Sequence, residues 1–348
     1  MKNSLFEHLP EFDNHKLVSF FYDKASKLRG FIAVHNIKQN IAVGGTRYWK
    51  YSSESEALVD ALNLSRAMTY KCALAGVPYG GGKGVIMAGS LSSAKQQALV
   101  AYAQRINMLN GTFYTGEDVG IDQGDVATLS KQSKFIIGRP GIAGDPSPWA
   151  ALGVFYAIQA GLQFLFKNSE VQNRTFAIKG IGKVGGELLR LIYENNGKVI
   201  AADVDKERLK EIKEQFPNIH IVSAVEIHKQ KVDVYCPCAL GNEFTKTTIS
   251  QLQCKMICGG ANNQLSSSEA GELLHKKNIL YIPDYLANAG GLINVVAELD
   301  SNGYKKKQVE TKVKDIGKTA TKIFELSEKN KKSTSQMADE LAMQIFSK

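Results

Sequence analysis

Two lysines, Lys71 and Lys83, bracket the most glycine-dense part of this chain, and an acidic pair, Glu117-Asp118, stands further on. A lysine that is buried, or that stands beside another positive charge, loses its proton more easily and can then act as a general base and acid. Glycines at 80, 81, 82 and 84 allow backbone to crowd a ligand beside Lys83. Taken singly, lysines are mostly surface residues and acidic pairs mostly solvated, so these residues alone leave both readings open. A second cluster is more specific. Gly180-Ile181-Gly182-Lys183-Val184-Gly185 follows the apolar run Thr175 to Lys179 and opens a helical pattern. Gly180 and Gly182 would allow a tight turn and the close approach of a pyrophosphate. Gly185 would let helix and sheet pack, and the helix N-terminus supplies N–H donors. The run Val199 to Ala202 then ends in Asp203, whose carboxylate can accept both ribose hydroxyls and repel a 2′-phosphate, which favours NAD over NADP. Lys183 can face the pyrophosphate or solvent.

These groups need elements to hold them. The first half opens with strand-like runs, Lys16 to Tyr22 and Gly30 to Asn36, followed by a Gly-Gly-Thr-Arg turn at Gly44 to Arg47. A helix is predicted from Ser53, whose hydroxyl caps it while Glu56 reaches back. Leu58, Ala61, Leu62, Ser65 and Met68 recur at helical spacing, so the helix faces inward and delivers Lys71 near its end. The Gly76 to Gly84 stretch reads as a loop or tight turn. From Thr175 short apolar runs alternate with helices: 175–179, 199–202, 220–222, 232–235, 256–258 and 280–283, with helices at 184–194 and 206–214 among them. Such alternation predicts a parallel, doubly wound sheet that binds its ligand at the strands' carboxyl ends. The expected fold is therefore α/β in two domains with a cleft between them. Residues 1–145 form an α/β substrate-binding, catalytic and oligomerisation domain, and 146–332 a Rossmann-type NAD-binding domain. A final helix, 333–348, would pack back on the first. Closure would turn on the Gly-, Pro- and Asp-rich segment 138–148.

The chain has 348 residues, 44% hydrophobic and 22% charged, which suits two ordinary globular domains and argues against disorder. Met1 to Pro10 carries Glu7 and His8 with no apolar core, so no secretory signal is expected and a cytoplasmic location is. Trp149 to Phe166 lacks charge but is interrupted by Gly153, Gln159, Gly161 and Gln163, and reads as a buried helix rather than a membrane span. The five cysteines, at 72, 236, 238, 254 and 258, have no histidine nearby in sequence and fall mostly in apolar runs. They read as small buried thiols, with no metal site expected. A net charge of +9 raises nucleic acid as a partner. The lysines at 305–307, 329, 331 and 332 interleave with polar residues at helical spacing and no aromatic platform, so a solvated helix face is expected, with neither nucleic acid nor membrane as partner.

Taken together, Gly44-Gly45-Thr46-Arg47, Met68-Thr69-Tyr70-Lys71, Gly80-Gly81-Gly82-Lys83-Gly84, Glu117-Asp118-Val119-Gly120, Pro237-Cys238-Ala239-Leu240, Gly260-Ala261-Asn262-Asn263-Gln264 and Asn288-Ala289-Gly290-Gly291 resemble, in order and spacing, the glutamate/leucine/phenylalanine/valine dehydrogenases. The resemblance runs from about residue 10 to 330 and looks strongest toward the short leucine and phenylalanine enzymes. It implies NAD-dependent oxidative deamination of an L-amino acid to a 2-keto acid and ammonia, by a homo-oligomer. By position, it makes Lys71 the cation for the substrate carboxylate, Lys83 the group that moves protons on the attacking water, and Asp118 the shuttle to the substrate nitrogen. Asn262 would hold the nicotinamide side of the cofactor and Asn288 the substrate amino group. Ala239, with Gly180, Gly182, Lys183, Val184, Gly185 and Asp203, belongs to the cofactor set.

The glutamate enzymes have a lysine just before the first Gly-Gly, reading the distal carboxylate; here Val43 precedes Gly44. An unpaired buried carboxylate is costly, so glutamate is disfavoured. Gly116, Leu292 and Val295 align with other side-chain pocket positions and are also uncharged. Leucine and its branched relatives lead, with phenylalanine or tryptophan as the alternative. One departure stands out: relatives carry a threonine where this chain has Ala150, a hydroxyl that would bond the nicotinamide carboxamide. Its loss motivates the other alternative, a protein that binds NAD with little or no catalysis.

Overall fold

The computed structural model describes residues 9–88, 95–239 and 241–347; Glu7, His8 and Leu240 lie outside the described residues. The chain forms two compact units, Met1–Pro146 with Leu292–Lys306 and Ile345–Lys348, and Ser147–Gly291 with Lys307–Gln344.

The first unit is built on a mixed five-stranded sheet in the order β1-β2-β4-β3-β5. Its strands are β1 (Leu17–Asp23), β2 (Leu28–Val34), β3 (Ala42–Trp49), β4 (Gly80–Met87) and β5 (Phe113–Gly116). β2 pairs antiparallel with β1 and β4, whereas β3 runs parallel to β4 and β5. Helix α1 (Glu54–Leu74) covers one face, where Ala57, Ala61 and Leu62 pack with Phe31, Ala33, Val85 and Met87. On the other face α2 (Lys95–Met108) and α3 (Gln123–Gln132) bury Leu99, Tyr102, Ile106, Val126 and Leu129 against Ile32, Val34, Ile86 and Phe113. The Ser53 hydroxyl caps α1 by accepting from the Glu56 N–H at 3.1 Å. The Glu56 carboxylate, however, reaches past Ser53 to accept from the N–H and hydroxyl of Ser52.

Two expectations are corrected here. Gly44 to Arg47 is no turn but the middle of β3, and Gly80 to Gly84 is no loop but the start of the fully buried β4. The glycines serve close packing instead of sharp bends. A Cβ on Gly81 would lie 2.1 Å from the Thr69 backbone nitrogen of α1, and one on Gly44 would lie 1.9 Å from the Gly82 carbonyl oxygen. A glycine inside a strand often marks such an approach of another backbone.

The second unit holds a parallel six-stranded sheet in the order β11-β10-β9-β6-β7-β8. It comprises β6 (Thr175–Lys179), β7 (Lys198–Ala202), β8 (His220–Ile221), β9 (Val232–Pro237), β10 (Cys254–Ile257) and β11 (Leu280–Tyr281). Helices α5 (Lys183–Glu194), α6 (Lys206–Gln215), α7 (Lys246–Gln251), α8 (Ser268–Lys276) and the single turn α9 (Asp284–Ala287) fall between or after the strands. The order reverses between β6 and β9, the switch point at which doubly wound sheets take ligands. Helix α4 (Ser147–Phe166) is long and apolar enough to cross a membrane, yet Ala151, Val154, Ala157, Ile158 and Leu162 are fully buried within the unit. Its Phe164 ring lies 5.1 Å from Phe324 of α11 (Lys306–Asn330). That helix turns Val309, Val313, Ile316, Ala320 and Ile323 inward and leaves its lysines largely to solvent.

Beyond α10 (Gly290–Val296) the chain departs from the expected single crossing at 145/146, because 292–306 belongs to the first unit. The buried Glu298 carboxylate there accepts from the N–H groups of Arg139 and Ala143 at 2.9 and 3.1 Å and from the Arg139 guanidinium at 2.8 Å. The amide of Asn294 donates to the Ala143 carbonyl at 3.0 Å. Half of the proposed 138–148 hinge is thereby pinned. The last helix, α12 (Thr334–Phe346), also differs from expectation: 334–344 belong to the second unit, with Tyr285 bonded to Asp339 and Thr334 donating to the Tyr281 carbonyl. Only its end returns to the first unit, where the Phe346 ring stacks on Tyr70 at 5.6 Å.

Candidate active site

Lys83 stands on the central strand of the first sheet with only 4% of its surface exposed, and its ammonium bonds the Asp118 carboxylate. Asp118 follows β5 in a tight turn closed by the Ile121 N–H to the Asp118 carbonyl, and its second oxygen accepts from the Val119 N–H at 2.6 Å. A short distance behind, Arg47 of β3 lies 3.9 Å from the same carboxylate and pairs with Asp60 of α1 at 2.9 Å. Burial, then the positive charges of Arg47 and Lys71, hold Lys83 well below the ordinary lysine range, against the opposing pull of Asp60. Two groups this close titrate as a coupled pair, an arrangement able to serve acid–base chemistry. Lys71, in the last turn of α1, is half-buried and close enough to act on Lys83 electrostatically.

The remaining residues of this half are less uniform. Val43 is fully buried on β3, opposite Gly81 and Tyr114, with no charge at that position. At Gly116 a Cβ would meet the Ile137 carbonyl oxygen at 2.4 Å, so packing alone requires glycine there. Leu292 is buried and Val295 half-buried, the latter 3.2 Å from the Cβ position of Gly138.

In the second unit the three glycines of the turn have distinct tasks. Gly180 sits at φ +90°, which L side chains rarely adopt, and a Cβ there would press on the Ala239 backbone at 2.8 Å. Gly185 abuts the Gly180 carbonyl oxygen, 1.9 Å from where its Cβ would be. Gly182, the N-cap of α5, faces open space instead, with nothing within 4 Å of its Cβ position. A helix N-terminus with free room at its cap suits a pyrophosphate, so the residues present fit a dinucleotide. Val184 in the first turn packs on Gly260, while Lys183 and Ala239 are exposed. The Asp203 carboxylate accepts from the Ile181 N–H at 2.6 Å and the Asp205 N–H at 2.9 Å, and so ties the glycine turn to the end of β7. Burial raises its pKa, but those N–H groups and Arg208, 3.3 Å away, bring it below the usual carboxylate value. The Arg208 cation offsets part of the repulsion that Asp203 would exert on a 2′-phosphate.

Asn262 and Asn288, far apart in sequence, meet: the Asn288 amide donates to Asn262 Oδ1 at 2.7 Å and to the Gly260 carbonyl at 3.2 Å. Asn288 is buried, and its own Oδ1 has no hydrogen-bond partner among the described residues. Gln264, fully buried, holds this loop from below by donating to the Gly259 and Ala261 carbonyls, and Asp284 receives its N–H at 2.9 Å.

Residues 18–139 match the Glu/Leu/Phe/Val dehydrogenase dimerisation domain, and residues 202–347 match the Glutamate/Leucine/Phenylalanine/Valine dehydrogenase domain. This chain belongs to that dehydrogenase family. It is 39% identical over 339 residues to L-tryptophan dehydrogenase of Nostoc punctiforme, covering 97% of this chain and 95% of that protein. To the phenylalanine dehydrogenase of Caldalkalibacillus thermarum it is 38% identical over 355 residues, covering 100% and 95%. For leucine dehydrogenase of Bacillus cereus the identity is 36% over 345 residues, covering 98% and 93%. The crystal structure of the Nostoc tryptophan dehydrogenase superposes with a TM-score of 0.83 at 38% identity, covering 99% of this chain and 98% of that one. The chain is thus an amino-acid dehydrogenase with a Rossmann-type cofactor domain.

Within this family frame, Lys83 meets Asp118, and Asn262 meets Asn288. The glycine turn, Asp203 and Ala239 come together at the ends of β6, β7 and β9. Arg47, Asp60, Gln264 and Asp284 were not singled out by sequence. Arg47 stands inside a stretch whose glycines read as a turn, and Asp60, one position from the buried Ala61, falls where an amphipathic helix ordinarily carries polar residues, so nothing local marks either. Cys72, Cys236, Cys238, Cys254 and Cys258 are all free thiols, and burial raises Cys72 to about 12 and Cys238 to about 11. No group of three or more His, Cys, Asp or Glu is placed to hold a metal among the described residues.

Proposed function

We propose that this enzyme catalyses the reversible, NAD-dependent oxidative deamination of an apolar L-amino acid, leucine or a branched relative first, to its 2-keto acid and ammonia. The observation that carries the chemistry is the buried Lys83–Asp118 pair, whose lysine is held well below the ordinary lysine range by burial and by Arg47.

In this reading Lys71 holds the substrate carboxylate, and the unpaired Oδ1 of Asn288 accepts from the substrate ammonium. Asp118 takes a proton from that ammonium, freeing the nitrogen lone pair. NAD, when bound, supplies the acceptor for the α-hydrogen and its electron pair. Once the α-carbon is an iminium, neutral Lys83 takes a proton from the attacking water as the new C–O bond forms. Asp118 returns its proton to the nitrogen. As the C–N bond breaks and the carbonyl forms, the departing ammonia takes the proton of the carbinolamine hydroxyl and leaves as ammonium, and Lys83 releases the proton it took from water to solvent. Gly182 and the first turn of α5 would receive the pyrophosphate, Asp203 the adenosine ribose, and Asn262 the nicotinamide side. The low exposure of Lys83 excludes bulk water from the step that needs a single one.

The apolar specificity rests on Val43, whose buried hydrocarbon offers no counter-charge to a distal carboxylate. An aromatic substrate is the second reading, supported by the likeness to tryptophan and phenylalanine dehydrogenases. A pocket that differs by a methylene or two separates such substrates by only about 1–3 kcal/mol. The match to a dimerisation domain supports a homo-oligomer, and five free thiols fit a reducing, cytoplasmic compartment. NADH formation with leucine, valine, isoleucine, phenylalanine, tryptophan and glutamate, under NAD or NADP, tests the reading. Fastest turnover is expected on a branched apolar substrate with NAD. Turnover on glutamate alone would overturn the role given to Val43. Silence throughout with intact NAD binding would favour the non-catalytic alternative.

A further inference from the structure

A second ion pair stands behind Lys83 and Asp118, and nothing in the proton bookkeeping above uses it. Arg47 Nη1 donates to both oxygens of Asp60, at 2.9 and 3.3 Å, and Asp60 also accepts from the Tyr51 hydroxyl at 2.5 Å. The other end of the same guanidinium is unsatisfied: Arg47 Nε is buried and makes no hydrogen bond among the described residues, although Asp118 Oδ1 is 3.9 Å away. Asp118 already gives one oxygen to Lys83 and the other to the Val119 N–H. The carboxylate therefore lies between two cations, and its bond to Lys83 must break when Lys83 turns to the water that attacks the substrate. A buried N–H donor without a partner is costly, and Asp118 becomes a carboxylate again once it returns its proton to the nitrogen, with Lys83 turned away; a buried carboxylate left unpaired is costlier still. A small shift of Asp118 toward Arg47 removes both penalties at once.

We propose that Arg47 is a positioning residue for this reaction: anchored by Asp60, it takes the Asp118 carboxylate as its second partner when Lys83 turns to the substrate, and so keeps that carboxylate aimed through the proton transfers. The proposal rests on the reading of Lys83 and Asp118 as the proton-moving pair. The charged groups that face Lys83 are Asp118 from the turn after β5, Arg47 from β3, and Asp60 and Lys71 from α1. Arg47 and Asp60 act on the pair with opposite signs. Loss of the arginine charge makes the pair harder to deprotonate, and loss of the aspartate charge makes it easier.

The test compares Arg47→Met, Arg47→Lys and Asp60→Asn with the parent and with Lys83→Ala, reading kcat, KM and the pH profile of kcat/KM for deamination. Arg47→Met is expected to lower kcat on the order of 100-fold with KM little changed, the scale of a misplaced reacting group. Its acid limb should move up by about one pH unit and that of Asp60→Asn down, while Arg47→Lys keeps the limb near the parent's. General damage to the fold does not move two limbs in opposite directions. Should Arg47→Met fail to fold, the direction of the Asp60→Asn limb decides. Parental profiles in the Arg47 and Asp60 variants, or limbs moving the same way, would overturn the proposal while an inactive Lys83→Ala left the catalytic pair standing. A Lys83→Ala enzyme with parental activity would remove the pair and this proposal together.

Discussion

A lysine normally buries its hydrocarbon stem and keeps its charged tip in water. Lys83 does not, because β4 is buried along its whole length and the Lys83 ammonium bonds the Asp118 carboxylate instead. The site thus combines a desolvated amine with fixed neighbouring charges, which hold the lysine well below its ordinary range. Other side chains matter for what they lack. Ala150, 9% exposed in the first turn of α4, stands where the family resemblance places a threonine hydroxyl. Restoring it by Ala150→Thr is expected to lower KM for NAD by about 5- to 10-fold, the worth of one hydrogen bond of about 1 kcal/mol, with kcat little changed. An unchanged or higher KM in initial-rate kinetics would show that no hydroxyl is missed there. At this scale the candidate groups were visible in the sequence, because Lys71, Lys83, Asp118 and Asp203 are charged residues in glycine-rich or strand-end settings. It could not display contacts that form only in three dimensions. The Asn262–Asn288 bond and the Arg47–Asp60 pair join separate segments, and no spacing rule reports them.

Among the elements, glycine decides the outcome, and for two different reasons. On β4 it permits contact. A Cβ on Gly84 would lie 2.0 Å from the Tyr102 hydroxyl and 2.5 Å from Thr46 Oγ1, inside a buried Tyr102–Thr46–Thr115 hydrogen-bond chain. At the start of α5 it leaves room, since Gly182 has nothing near its Cβ position. Gly84→Ala is therefore expected to destabilise the protein by about 1–3 kcal/mol, read as a lower midpoint in urea. Gly182→Ala should keep the parental midpoint but weaken NAD binding several-fold by fluorescence titration. The reverse pattern would contradict both assignments. This dual use also explains what was misread. A glycine run looks the same in sequence whether it bends the chain or admits a neighbouring backbone, so the glycines inside β3 and β4 read as turns in sequence alone. The second sheet was far more legible. Its strands are short apolar runs set apart by amphipathic helices, and Thr175–Lys179 was placed to the residue.

Over the whole molecule, the residues to which roles are proposed divide between the two units. The first carries Lys71, Lys83, Asp118 and Val43; the second carries the glycine turn, Asp203, Asn262 and Asn288. The number of domains was legible from length and from the change of pattern near Thr175. Their true bounds were not. Segment 292–306 joins the first unit through the Glu298 and Asn294 bonds to residues 139 and 143, which are long-range contacts that leave no local trace. The most direct test of the account is the rate of NADH formation from L-leucine by the parent and by Lys83→Ala, at matched NAD saturation across pH. The account predicts a parent whose kcat/KM rises through an acid limb well below the ordinary lysine range, and a variant that still binds NAD but has lost roughly 100- to 10,000-fold in rate. A Lys83→Ala enzyme that turns over close to the parent, with the same acid limb, would contradict it.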